Sequence, residues 1–182
     1  DMPAGYSFDP DPNGVAEAVL SKSTWSVLAL TCHIELFTQA HYKHSIEPGE
    51  NLSELFKDIF LYHWREESQH AILDEIEWRR EDRKLSHGER DQAVTDFIAL
   101  VVAVDGILQA QSEADAGYFC MVSGRSFSSE EHEDIVQGLL RAYRWQYILS
   151  GAQEPRFTNI LGSLIDEDQG DRIADALSTL VA

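Results

Sequence analysis

Residues 63–74, which read HWREESQHAILD, carry the most informative pattern in this chain. If the stretch is helical, at about 100° per residue, four ionisable side chains fall within an arc of roughly 60°. These are His63, Glu67, His70 and Asp74. The apolar residues Leu52, Phe56 and Ile59 lie upstream on the same stripe, which predicts that the stripe faces a core. Ionisable groups buried there would need a metal ion, pairing with one another, or water, because burying them alone costs several kcal/mol.

Helical periodicity covers most of the remaining chain, and no stretch alternates as a β-strand does. Long helices are expected over residues 15–45, 53–84, 90–121 and 128–150, and short ones over 157–165 and 169–180. Ser23 or Thr24, Ser53, and Ser128 with Glu131 three residues later are typical helix-capping residues. The pattern predicts an all-α fold, an antiparallel four-helix bundle. Its parts are an irregular arm over 1–14, the bundle over 15–151, and a helical appendage over 152–182.

Glu67 and His70 are spaced as i and i+3, the arrangement with which helical bundles chelate iron or manganese. The carboxylate suits a hard ion, and the imidazole fills a second position while leaving others open for dioxygen or substrate. The alternative is a solvated helix face on which the two side chains form an ion pair. His63 is either a further ligand or a histidine that packs beside the site.

Such a site needs another carboxylate from a neighbouring helix, and Glu35 is the candidate. It is the lone charge on an otherwise apolar or neutral stripe. An antiparallel hairpin with its turn near residues 48–49 would bring Glu35 and Glu67 to the same height. Tyr42 and Asp74 are expected beside the ligands without binding metal. The alternatives are core packing for Tyr42 and a solvated position for Asp74.

These residues resemble the motif of the ferritin-like diiron-carboxylate superfamily, which has a Glu on one helix and Glu-x-x-His on the next, and repeats the pair. The resemblance covers roughly residues 24–150, and the motif match is Glu35 with Glu67-Ser68-Gln69-His70. It implies a four-helix bundle holding two iron ions, with manganese as the other metal. Glu113 is the natural match in the third helix, but the fourth helix has no Glu-x-x-His. The alternative for Glu113 is an ion pair with Arg141 or Arg144, and such a guanidinium would leave the bundle free of metal.

Arylamine N-oxygenase-type members of that superfamily offer a second version of the resemblance. They use a Glu on one helix and His-x-x-x-Glu-x-x-His on a later one, a spacing that His63, Glu67 and His70 match. In those proteins this is the second half of the site, and earlier helices supply the first half. The chain begins at Asp1 and not at Met, so this version implies a preceding segment and removes Glu113 from the ligands.

The composition of the chain limits the classes of partner that it could bind. The chain has 182 residues and a formal net charge of −18, which argues against nucleic acids and anionic membrane surfaces. The longest apolar run, residues 97–104, is about eight residues long and too short to span a bilayer. The two cysteines, Cys32 and Cys120, lie in apolar sequence and fit a reducing compartment, so we expect a cytoplasmic protein.

Three functions are compatible with these patterns. The first is a non-haem iron oxidoreductase that activates dioxygen or peroxide on a small organic substrate. Its ligands would be Glu35, Glu67 and His70, together with His63 and Glu113. The second is a metal-free, degenerate bundle with a structural or oligomerising role, and the third is iron handling as a ferroxidase. A homodimer is compatible with each of them, because bundles of this kind often pair through an outer helix face.

Overall fold

The computed structural model describes residues 4–7 and 10–181. Within these ranges every regular element is a helix, with no strand, which confirms the all-α prediction. The α-helices are α1 (Pro12–Leu20), α2 (Thr24–His41), α3 (Glu54–Asp82), α4 (His87–Val122), α5 (Ser129–Arg144), α6 (Ser150–Ala152), α7 (Pro155–Leu164) and α8 (Glu167–Val181). Two π-helical segments, Tyr42–Ile46 and Trp145–Leu149, continue α2 and α5.

Serine caps set the starts of the long helices. The hydroxyl oxygens of Ser23, Ser53 and Ser128 accept hydrogen bonds from backbone amides three residues later, as the sequence predicts. The start of α4 differs from the prediction. Ser86 forms a capping box there, so α4 begins at His87, three residues earlier than expected.

The predicted helix over residues 15–45 is divided into three elements. α1 begins at Pro12, inside the predicted arm, because Asp11 caps it. The helix then stops at Leu20, and the chain restarts at Thr24, since Ser23 caps α2 and its backbone amide donates to Asp96 at 3.1 Å. Of the predicted arm, residues 1–3 and 8–9 lie outside the described part of the chain.

α2 is the central helix. It packs against α3 and α4, and also against α6 and α7. α4 in turn packs against α5 and α8, whereas α3 packs chiefly against α2, with small contacts to the first π-helical segment and to α7. The four long helices are thus present, but α3 and α4 share little surface, so the closed four-helix bundle stays a prediction.

Aromatic packing and one buried ion pair fix the α2–α3 hairpin. Trp25 and Trp78 are completely buried and meet edge to face, with ring centroids 5.1 Å apart. The Trp25 indole Nε1 donates to the carboxylate of Asp82 at 3.0 Å, and the guanidinium of Arg90 donates to the same carboxylate at 2.7 Å. A buried carboxylate with two donors of this kind ties α2, α3 and the start of α4 together.

The expected burial of the α3 stripe is wrong for its first half. Phe56 and Ile59 are exposed, although the sequence pattern predicts that they face a core. The physical reason is that α3 has only one long neighbour, α2, so a single side of the helix is covered. The buried side carries Ala71 and Trp78 instead.

α4 is long and apolar enough, by length and composition, to cross a membrane, and 33% of its most apolar window is buried. One such helix is weak evidence for a membrane span, because core helices of soluble proteins have the same composition. α4 carries a buried charge: Asp105 receives hydrogen bonds from Arg144 of α5 at 2.7 and 2.9 Å. The expectations of a cytoplasmic location and of no membrane contact stay predictions.

Candidate metal centre

Three of the predicted ligands come together where α2 crosses α3. Donor atoms of Glu35, Glu67 and His70 all lie within 4.8 Å of one another. His70 Nδ1 is 2.9 Å from an oxygen of Glu67 and 4.0 Å from an oxygen of Glu35. The carboxylates are mostly covered, with side chains 17% and 15% exposed, whereas the His70 ring is 46% exposed.

The hairpin turn explains this meeting. α2 and α3 run in opposite directions on either side of residues 47–53, so Glu35 and Glu67 reach the same height. Next to them, the hydroxyl of Ser68 contacts the side-chain oxygen of Gln39 at 3.4 Å, which again joins the two helices. Asp74 lies close enough for its negative charge to act on Glu35, and it is half-buried.

A second group shares one member with the first. His63, Glu66 and Glu67 also have donor atoms within 4.8 Å of one another. His63 Nε2 is 2.5 Å from Glu67, and His70 Nε2 is 3.1 Å from Glu66. Sequence reasoning missed Glu66, although its position four residues before His70 is a signal that could have found it.

The two remaining predicted site residues differ in where they lie. Glu113 is exposed on α4 and belongs to neither group, because α4 has little contact with α3. Its suggested partner Arg144 binds Asp105 instead. Tyr42 is buried and lies against Trp64, with ring centroids 5.5 Å apart, so it packs beside the hairpin.

The carboxylates share a proton. Burial raises the pKa of Glu35 to about 8, and the hydrogen bond with Glu67 and the negative charges of Glu67 and Asp74 add to the rise. The hydrogen bond from Glu35 lowers the pKa of Glu67, with the hydrogen bond from His70 adding to this. The hydrogen bond to Glu67 raises the pKa of His70. At neutral pH, Glu35 therefore keeps its proton and donates it to an ionised Glu67.

No lysine or arginine in the described part of the chain forms an ion pair with Glu35 or Glu67. The guanidinium that would have kept the site free of metal is thus not found among these residues. Among the described residues, the groups in contact with these partly buried carboxylates are two histidine rings, and Glu35 retains its proton. A divalent cation would supply positive charge there more effectively.

A cavity of about 540 Å³ lies next to the cluster and has His63 in its lining. Aromatic side chains line most of it, and its polar groups include His41 and Gln146. The aromatic residues of the lining include Phe37, Tyr42, Phe60, Trp64 and Tyr147. The π-helical segments contribute Tyr42, Gln146 and Tyr147, consistent with the frequent occurrence of such segments at functional sites. The volume is in the range of small-molecule sites.

Comparison with protein-family models, curated proteins and solved structures found no significant match to this chain.

Proposed function

We propose that the chain binds iron at the cluster of Glu35, Glu67 and His70 and is a non-haem iron oxidoreductase acting on a small organic substrate. The observation that carries the proposal is the meeting of two carboxylates and one imidazole from different helices, with no arginine or lysine of residues 4–7 and 10–181 paired with the carboxylates. Carboxylate and imidazole together suit iron and manganese better than thiolate-preferring metals.

Glu67 supports a site for two ions. It belongs to both groups, so its two oxygens can serve one ion with Glu35 and His70, and another with His63 and Glu66. Glu66 thus takes the place that the sequence suggested for Glu113 as a metal ligand. The resemblance to the ferritin-like superfamily stays a hypothesis, because the geometry of this chain gives a different set of ligands.

The cavity next to His63 supports a substrate that is small and largely apolar. Its aromatic walls would exclude water and orient the molecule, and His41 and Gln146 would contact polar groups. When bound, iron would supply the activation of dioxygen or peroxide. The chain's own residues would hold the ion, exchange the proton on Glu35, and position the substrate.

One observation favours a second candidate, a metal-free helical protein with a structural role. The hydrogen bonds among Glu35, Glu67 and His70 already satisfy much of the cluster, so the fold does not require an ion to hold these side chains together. The two candidates differ in metal content.

The experiment compares two variants with the wild-type protein after expression with added iron. Glu67→Gln keeps the shape but removes a ligand common to both groups, and Glu113→Gln is the matched control on α4. We expect about two irons in the wild-type chain and in the control, because each group would hold one ion, and a loss of most iron in Glu67→Gln. Dioxygen consumption with a reductant should follow the iron content. Wild-type protein that remains free of iron would contradict the metal proposal and favour the structural candidate.

A further inference from the structure

An exposed apolar stripe runs along the side of α3 that faces away from α2. Five of its large side chains are between 55% and 71% exposed: Leu55, Ile59, Tyr62, Leu73 and Ile76. Together with Glu66 and Gln69 between them, they define what is called here the α3 seam. The spacing alternates between four and three residues over its whole length, as the a and d positions of a coiled coil do.

The α3 seam is complementary to itself. In an antiparallel pair of α3 helices centred on Glu66, Ile59 of one copy lies opposite Leu73 of the other, because both are seven residues from the axis. Leu55 and Ile76 lie within one residue of facing each other, as do Tyr62 and Gln69. In a twofold symmetric interface residue i meets residue j and residue j meets residue i, and in this register the apolar residues at one end of the seam meet the apolar residues at the other end of the second copy. The symmetry of the pattern therefore favours a second copy of this chain over an unrelated partner.

The charges at the centre of the seam fit the same register. Two Glu66 carboxylates would approach each other at the twofold axis, which requires positive charge nearby. Arg65 supplies it, because its guanidinium already lies over the ring of Tyr62, 5.5 Å from the centroid, and so points along the seam. In the heptad numbering His63 and His70 occupy e positions, which an antiparallel pair brings opposite each other and close to Glu66 of the other copy.

We propose that the chain forms an antiparallel homodimer through the α3 seam. The apolar ends of the seam supply the buried area, and the central polar residues fix the register and orientation. The second copy covers the exposed edges of His63 and His70, whose side chains are 47% and 46% exposed in one chain. The dimer thereby closes the solvent side of the cluster, but its formation does not depend on a bound metal.

Cysteine cross-linking tests the register in metal-free protein. In a Cys120→Ser background, with Cys32 fully buried, the double variant Ile59→Cys and Leu73→Cys places two thiols opposite each other. We expect mild oxidation to convert most of the protein into a disulfide-linked dimer. The matched control is Ile59→Cys alone, whose counterpart in the other copy lies about 21 Å away along the seam, far beyond the reach of a disulfide. Equal cross-linking of the single variant would indicate a parallel pair and would overturn the proposal.

The oligomeric state of the unmodified chain gives a second measurement. Analytical ultracentrifugation with a chelator present should show a dimer at micromolar concentration. Ile59→Lys should shift it to a monomer with unchanged helical content, since the side chain is exposed in a single chain. Val102→Lys, at an exposed apolar position on α4, should remain dimeric. A monomeric wild-type chain would refute the dimer and leave the metal proposal untouched, because metal content is measured separately.

Discussion

Metal binding to the cluster should displace a proton from Glu35, and the amount should depend on pH in a defined way. With a pKa of about 8, Glu35 is protonated to a fraction of about 0.9 at pH 7 and about 0.1 at pH 9. A bound cation requires the ionised carboxylate, so the ion that Glu35 helps to hold should release about 0.9 of a proton from it at pH 7 and about 0.1 at pH 9.

Isothermal titration calorimetry with Mn²⁺ measures this release, because the observed heat in two buffers of different ionisation enthalpy gives the number of protons exchanged. His70 also contributes at pH 7, since its pKa is raised by Glu67. The number of protons that Glu35 releases is therefore the proton release of the wild-type protein minus that of Glu35→Gln, both measured at saturating metal. Glu113→Gln should behave as the wild type does.

The result that would refute the reasoning is equal proton release from the wild type and from Glu35→Gln at pH 7. Glu35 would then be ionised before metal arrives, or would not contact the ion. The first finding contradicts the shared proton between Glu35 and Glu67, which follows from the proximity of the two carboxylates and their burial, and the second contradicts the role of Glu35 as a metal ligand.

Two further predictions concern stability, measured by chemical denaturation. In metal-free protein the contribution of Glu35 to the free energy of unfolding should fall as pH rises from 5 to 9, because native Glu35, with its raised pKa, holds a proton that the unfolded chain has already lost. Burial lowers the pKa of His33 and His41, which contribute in the opposite direction, so the test is the difference in slope between the wild type and Glu35→Gln. An unchanged slope in Glu35→Gln would contradict the pKa shift of Glu35. Gly151→Ala should lower the free energy of unfolding by about 1–3 kcal/mol, because its new methyl group would lie 2.7 Å from His33 Nε2. Gly106→Ala has nothing within 4 Å of its new methyl group, so it should raise the free energy of unfolding by about 0.5–1 kcal/mol through helix propensity. Equal effects of the two substitutions would show that His33 can move aside.

The part of the fold that local chemistry controls was predictable from the sequence. Ser23, Ser53 and Ser128 cap the helices that they were expected to cap, because a hydroxyl that accepts an amide three residues later needs no tertiary partner. The Ser23 cap indicates where α2 begins, but the break that separates α1 from α2 was not evident from the apolar pattern. The apolar period continues across it, and the contact that stabilises it comes from Asp96, far along the chain.

In the candidate site, too, the features that depend on local structure were predictable and those that depend on tertiary packing were not. Glu35 and Glu67 meet as expected, since the two helices are joined by one short turn and their alignment depends only on that turn. Glu113 does not meet them, because its position depends on how α4 packs, and α4 contacts α2 and α5 instead of α3. The exposure of the α3 seam was likewise not predictable, since an apolar stripe indicates that a helix face is buried but does not indicate whether this chain or another one covers that face.

The most direct test of the central claim is a crystal structure of iron-loaded protein with anomalous diffraction at the iron edge. We expect a peak in contact with carboxylate oxygens of Glu35 and Glu67 and with a ring nitrogen of His70, at about 2.0–2.2 Å, the range that such ligands show with zinc. A second peak is expected beside His63 and Glu66. Iron-loaded crystals without a peak at the cluster, and with Glu35 still hydrogen-bonded to Glu67, would contradict the account.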